Sequence, residues 1–183
     1  MRVNLIGATV AGCLVATGAM AQTAGTDEDI AFAGEIWQEM MDTDMVGDGA
    51  ILGLPYMGAP PHGAMLETFF MDAEVAGEEG LLVIKRNYGP MEVTADEVLA
   101  DPSGHLEAVT IMFQRAEGYD SEHNDWFYAK YDPDGSLDTN PAGMALAGAV
   151  GRNMEAGCIA CHVGAGGDDY LFTTDAYPPR AAE

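Results

Sequence analysis

The stretch LLVIKRNY (81–88) decides the fold. It is apolar on both faces, short, and bounded by Gly80 on one side and Gly89-Pro90 on the other, so it reads as a strand covered on both sides. Two further segments, EAVTIMFQR (107–115) and DWFYAKY (125–131), are β-branched or aromatic and read as its partners. The second closes on Asp132-Pro133-Asp134-Gly135, a strong turn signal. Upstream, LETFFM (66–71) fits either a strand or the start of a helix. Residues 27–43, DEDIAFAGEIWQEMMDT, read as a helix: Ile30, Ala33, Ile36, Trp37, Met40 and Met41 fall at helical spacing, with acidic residues in the first turn and Thr26 as cap. Residues 47–63 are rich in glycine and proline and read as loop. Residues 142–157, rich in Ala, Gly and Met, are predicted to form a second helix leading into Cys158. The expected fold class is α+β, an antiparallel β-sheet flanked by helices, without internal repeats or a second domain.

The chain has 183 residues, of which 48% are apolar, enough for one core. Thirty acidic side chains against seven basic ones give a formal charge of −23. Such a surface repels polyanions, so no nucleic acid and no anionic membrane is expected as partner. Residues 1–21 carry Arg2, an apolar run and the small-x-small site Ala19-Met20-Ala21, the form of a cleaved signal peptide. The run is too short and wrongly flanked for a membrane span. A competing reading takes Val10-Ala11-Gly12-Cys13 as a lipoprotein signal, but apolar sequence continues past Cys13 to a good cleavage site. The mature domain is therefore expected over residues 22–183, in the periplasm, with Cys158 and Cys161 as its two cysteines.

Those cysteines belong to Cys158-Ile159-Ala160-Cys161-His162, a C-x-x-C-H motif. This is the attachment signature of haem c: two thiols add across the vinyl groups and the adjacent imidazole reaches the iron as proximal ligand. A thioredoxin-like pair needs a βαβ context, and a structural zinc site needs further ligands; neither is in the sequence. No Met, His or Lys follows His162, so any sixth iron ligand is expected from upstream. Most of the 12 methionines sit in apolar patterns where packing is the safer reading. An iron with an open or weakly filled sixth position points to small-molecule binding or catalysis rather than pure electron transfer.

Several segments together carry a resemblance. Pro61-His62-Gly63, LLVIKRNYGP around Lys85, GYDSEHNDWFYAKYDPDG, and GCIACH followed by DDYLFT, in this order and spacing, resemble the cytochrome P-460 family, which includes the cytochrome c′-beta branch. The resemblance runs from about Pro61 to Thr173. It implies haem c against an antiparallel sheet, often in a homodimer. It also implies an additional covalent bond from a strand lysine to the haem, with Lys85 at the matching position. The residues are compatible with this: a lysine on a buried strand has a neutral amine within reach, and Val83 and Leu81 would line the same side. The alternative is an edge lysine reaching water. Lys130, beside the turn, reads as a solvated charge.

The resemblance further implies oxidation of hydroxylamine, with Glu107 as the carboxylate that accepts protons. His62 would lie at the distal rim or simply be exposed, while His105 and His123, in polar turns, read as surface. Trp126, Phe127, Phe69 and Phe70 read as core or haem packing. Three functions are in play: a haem oxidoreductase acting on hydroxylamine, a protein that binds nitric oxide or carbon monoxide without turnover, and an electron shuttle. The first and third require a redox partner protein, for which the acidic surface would suit a basic one.

Overall fold

The computed structural model describes residues 24–172. The predicted signal segment 1–21, with Cys13, lies outside the described residues. The first helix, α1 (Asp27–Asp42), begins where the sequence puts it. The Thr26 hydroxyl accepts the Asp29 N–H at 3.1 Å, and the Asp29 carboxylate accepts the Thr26 N–H at 3.1 Å, so two of the orphan amides of the first turn are satisfied. Phe32, Ala33, Ile36 and Met40 form its buried stripe.

Six strands follow in a continuous antiparallel meander: β1 (Tyr56–Met57), β2 (Met65–Val75), β3 (Glu78–Tyr88), β4 (Leu106–Gln114), β5 (Trp126–Tyr131) and β6 (Ala147–Gly148). Between β3 and β4 lie two short helices, α2 (Ala95–Ala100) and α3 (Pro102–His105), and the chain reaches α4 (Cys158–His162) after β6. The fold is thus the expected α+β, with an antiparallel sheet and a few helices. LETFFM proves to be part of a strand. β2 is 11 residues long and pairs with β3 along its whole length, from Met65 opposite Tyr88 to Val75 opposite Glu78. A strand partner of that length settles what a six-residue apolar run leaves open.

Period-two alternation divides the sheet into two faces. Leu82, Ile84, Val109, Ile111, Phe113, Phe127, Ala129 and Tyr131 pack against α1 in the main core. On the other face Val83, Met112, Trp126 and Tyr128 pack with Ala149, Val150, Ile159 and Leu171. This is why LLVIKRNY has no polar side. The loop of residues 45–53 is tied down by Arg86, which donates to the Met45 carbonyl at 2.9 Å and the Ile51 carbonyl at 2.8 Å and pairs with Glu67 at 3.1 Å.

Four expectations need correction. Residues 142–157 are not helical. Gly143, Gly148, Gly151 and Gly157 all have positive φ, and the segment instead returns to the sheet: Lys130 N–H donates to the Leu146 carbonyl, and Leu146 N–H to that of Asp138. Composition suggested a helix, but glycine at this density lets a chain fold back in a way alanine does not. The glycine-rich loop 47–63 is loop except for the two residues of β1. His105 and His123 are half-buried rather than surface: His105 Nδ1 lies 3.1 Å from the Gly89 carbonyl, and His123 Nδ1 lies 2.9 Å from Asp120. Phe70, placed with the packing aromatics, is 44% exposed.

Candidate functional site

The second face of the sheet is organised in cross-strand rows. One runs Phe70, Val83, Met112, Tyr128; the next runs Thr68, Lys85, Thr110, Lys130. The C-x-x-C-H helix, α4, lies against this face. Its position is fixed by backbone: Ile159 N–H donates to the Val150 carbonyl at 2.9 Å, and Ile159 is 2% exposed. The chain enters α4 through Gly157, whose φ of 126° and close approach to Gly151 exclude a side chain; a Cβ there would stand 2.5 Å from the Gly151 Cα. Cys158 is half-buried and Cys161 exposed, and burial pushes the Cys158 thiol up to about 11.

His162 is buried and points at the sheet. Its ring centroid lies 5.6 Å from that of Tyr128, 6.4 Å from that of His62 and 5.5 Å from that of Phe172. Its Nδ1 lies 2.7 Å from the Tyr170 carbonyl, which can only accept, so Nδ1 carries the proton and Nε2 is left with its lone pair. That is the arrangement by which a metal-binding histidine is fixed in ring orientation and tautomer. Burial, and secondarily the charge of Lys85, hold this imidazole below its ordinary range, in the neutral form a metal needs.

Lys85 and His62 complete the cluster. Lys85 is half-buried, and burial lowers its pKa. Among the described residues five carry a lysine or arginine cation. Four are paired with carboxylates: Arg86 with Glu67, Arg115 with Glu78, Lys130 with Asp138 and Arg152 with Asp120. Lys85 is the exception, with no hydrogen bond or ion pair to its amine. His62 reaches the same face from the loop before β2. Its Nδ1 lies 3.0 Å from Asn87 Oδ1, and it is pushed down to about 4 by burial first and then by the charge of Lys85. Asn87 is oriented in turn, because its Nδ2 donates to the carbonyls of Lys85 and Ala108 and to Thr110 Oγ1 at 3.1–3.2 Å.

The structure thus brings together Lys85, His62, Cys158, Cys161 and His162. Glu107 stands apart. It is exposed, at the bulge where the β3–β4 register shifts, with its carboxylate over Gly89, and no hydrogen bond, ion pair or ring contact joins it to Lys85, His62 or His162. Lys130 shares the lysine row but is paired at 2.7 Å with Asp138. The sequence reading missed Asn87, Thr110, Tyr128 and the Tyr170 carbonyl. Asn87 was within its reach, two residues from Lys85 on the same face; the others depend on strand register and on a backbone turn.

The donor set fits a covalently held haem: two free thiols one helical turn apart, an imidazole with a bare Nε2, and an apolar wall of Val83, Met112 and Trp126. Tyr128 adds a further sign of a missing neighbour, because its hydroxyl is buried with no hydrogen-bond partner. Fold and motif together define a c-type cytochrome with one haem. The family model described as Cytochrome P460 matches residues 66–173, more than half of the sequence, and the chain belongs to the cytochrome P460 family. No curated protein and no solved structure matches it. The matched segment contains Lys85, Glu107, Cys158, Cys161 and His162, and begins just after His62.

Proposed function

We propose that this cytochrome is a periplasmic enzyme that binds small nitrogen ligands at its haem and oxidises hydroxylamine. The observation that carries the reading is Lys85. In a chain with 30 acidic residues, a lysine left without a carboxylate while half-buried beside two imidazoles is not there for solubility. Its lowered pKa raises the fraction of neutral amine, the form able to bond to carbon.

Cys158 and Cys161 would hold haem c, and His162 would be the proximal ligand through Nε2. Haem supplies the redox chemistry, in which two hydroxylamines yield nitrous oxide, water, four protons and four electrons, the electrons passing to an external acceptor. The chain's own contribution is position and polarity. The Tyr170 carbonyl fixes the His162 ring and makes it a better donor. Val83, Met112 and Trp126 exclude water from one side. Lys85, bonded to the haem edge, would distort and tune the ring; forming that bond removes one amine hydrogen and one haem hydrogen, a two-electron oxidation that a peroxide would accept as it is reduced to two waters. Protons released at the site need an exit, and Glu107, at the solvent-facing end of the sheet, would pass them to water.

The test compares wild type with Lys85→Ala. Haem-peptide mass spectrometry should show haem on the Cys158–Cys161 peptide of both proteins and an additional link to the Lys85 peptide in wild type alone. The variant should keep its haem, lose the altered visible spectrum, and oxidise hydroxylamine about tenfold or more slowly, roughly 1.4 kcal/mol of barrier. Identical spectra and turnover would remove Lys85 from the reading. A wild type that binds nitric oxide tightly but never turns over hydroxylamine would make it a binding protein instead.

A further inference from the structure

The carbonyl that fixes His162 belongs to a residue in an uncommon conformation. Tyr170 has a φ of 65° and Asp168 one of 60°, so the turn after α4 holds two residues with side chains in the left-handed region that favours glycine. Such a backbone persists only where its surroundings over-determine it. Here four consecutive residues are tied down. Asn124 Nδ2 donates to the Asp168 carbonyl, and Trp126 Nε1 donates to the Asp169 carbonyl at 3.2 Å. The Tyr170 hydroxyl donates to the Glu122 carbonyl at 3.2 Å. Leu171 is buried in the same cluster as Trp126, with its N–H on the Asp169 carboxylate at 2.9 Å.

The segment that holds the turn is itself stiff. Trp126 opens β5, is 2% exposed, and is registered against Gln114 of β4. Asp125 Oδ1 accepts the N–H groups of Gly118 and Asp120 at 3.2 and 2.7 Å. Asn124, at a φ of 57°, accepts Gln114 Nε2 on its carbonyl at 3.3 Å. The turn is not needed to end α4, because Val163 N–H already donates to the Ile159 carbonyl and Gly164 N–H to that of Cys161, each at 3.0 Å. What the turn does present is one carbonyl, that of Tyr170, at 2.7 Å from His162 Nδ1.

We infer that Asn124 and Trp126 are positioning residues for the proximal ligand. By holding the carbonyls of Asp168 and Asp169 they aim that of Tyr170 at His162 Nδ1, and so set how strongly Nε2 donates to the haem iron. This rests on haem held by Cys158 and Cys161 with His162 as its ligand, but not on hydroxylamine being the substrate. A hydrogen bond from Nδ1–H pushes electron density onto the ring, strengthens Nε2 as a donor, and favours ferric over ferrous iron. The bond is directional, so a turn released toward right-handed backbone would swing the carbonyl off the Nδ1–H axis and weaken it. The loop before β5 thereby acts on the redox balance of the iron through a single carbonyl.

The test uses purified holoprotein whose haem-bearing Cys158–Cys161 peptide has been confirmed by mass spectrometry. Two properties are read: the reduction potential, and the iron–histidine stretching band in the resonance Raman spectrum of the ferrous protein just after photolysis of carbon monoxide. Asn124→Gly removes one donor while glycine accepts the φ of 57°, and Trp126→Phe removes the indole N–H while filling much of the same core. The double variant should lower the band frequency and shift the ferric–ferrous equilibrium about tenfold toward ferrous, which is 59 mV for a one-electron couple. Ile36→Val, which loosens the main core away from the turn, should leave both properties unchanged. A double variant with the band and potential of wild type overturns the inference, as does an equal shift in Ile36→Val. Should Trp126→Phe fail to fold, Asn124→Gly decides alone by the same two readings. Wild type without haem on that peptide, or a His162→Ala protein that keeps the band, instead overturns the attachment or the ligand assignment on which the inference rests.

Discussion

Replacing Glu67 tests whether the fold positions the site as described. Glu67 is 2% exposed, and its carboxylate accepts hydrogen bonds from three places: Arg86 at 3.1 Å, Gly53 N–H at 2.6 Å, and the Tyr88 hydroxyl. Arg86 is equally buried, so solvent does little to soften the interaction. Glu67→Ala leaves a guanidinium charge uncompensated inside the protein, a change that typically costs 3–5 kcal/mol. Arg86 keeps its bonds to the Met45 and Ile51 carbonyls, which places the charge term near the lower end. The stranded Tyr88 hydroxyl adds about 1 kcal/mol. The expected loss is thus about 4 kcal/mol, a large part of the stability of a domain this size. Glu67→Gln, which keeps an acceptor but not the charge, should lose about half as much. The assay is urea unfolding of the holoprotein followed by circular dichroism, comparing midpoints at unchanged m-value. The double variant Glu67→Leu/Arg86→Met should recover much of the loss, because removing both charges removes the desolvation penalty with them. Hydrogen exchange should quicken in residues 45–53, the segment that Arg86 and Glu67 anchor. A loss below about 1 kcal/mol for Glu67→Ala would refute the claim that this pair holds the loop leading to His62.

Gly157→Ala should destabilise the C-x-x-C-H turn by more than about 1 kcal/mol, since φ is 126° and the added carbon meets the Gly151 backbone; the yield of haem-loaded protein, read by its absorbance, should fall with it. Glu78 is held below its ordinary value of 4.5 by its hydrogen bond with Arg115, so its stabilising contribution is present above that value and disappears as pH falls through the depressed one. Glu78→Gln should therefore flatten the loss of stability below about pH 4.5 while costing at most about 1 kcal/mol at neutral pH, given that the pair is partly exposed.

What the sequence disclosed depended on how local the signal was. The strands around Lys85, Ile111 and Phe127 were legible because composition, period and flanking turns agree over short windows. The start of α1 was legible because a capping box is written in consecutive residues. Residues 142–157 misled because Ala and Met favour helix while the glycines between them favour turns, and only the pairing of Leu146 with Lys130 and Asp138 decides between the two. Residues 95–105 carried no apolar run long enough to reveal α2 and α3. In the site, Cys158, Cys161 and His162 form a contiguous motif, and Lys85 is conspicuous in a chain with two lysines. Tyr128 and Thr110 became visible only with strand register, which is a property of pairs of strands and not of either alone. The association of His62 with Asn87 spans 25 positions and depends on where a glycine- and proline-rich loop comes to rest.

The distribution of positive charge ties these observations together. Both lysines of the chain, Lys85 and Lys130, fall on one cross-strand row of the face that carries His162. Lys130 is balanced by Asp138, while Lys85 is balanced by nothing among the described residues. The charge of Lys85 disfavours a second cation nearby, and it acts on His62 and on His162, reinforcing what burial does to each. Both imidazoles are therefore held toward the neutral form, the state in which His162 keeps a lone pair on Nε2. A buried amine without a counter-ion is normally a defect that costs stability. Here the same amine adds to the effect of burial in disfavouring protonation of both imidazoles. Every other described lysine or arginine is paired with a carboxylate, and the one left unpaired is the lysine beside His62 and His162.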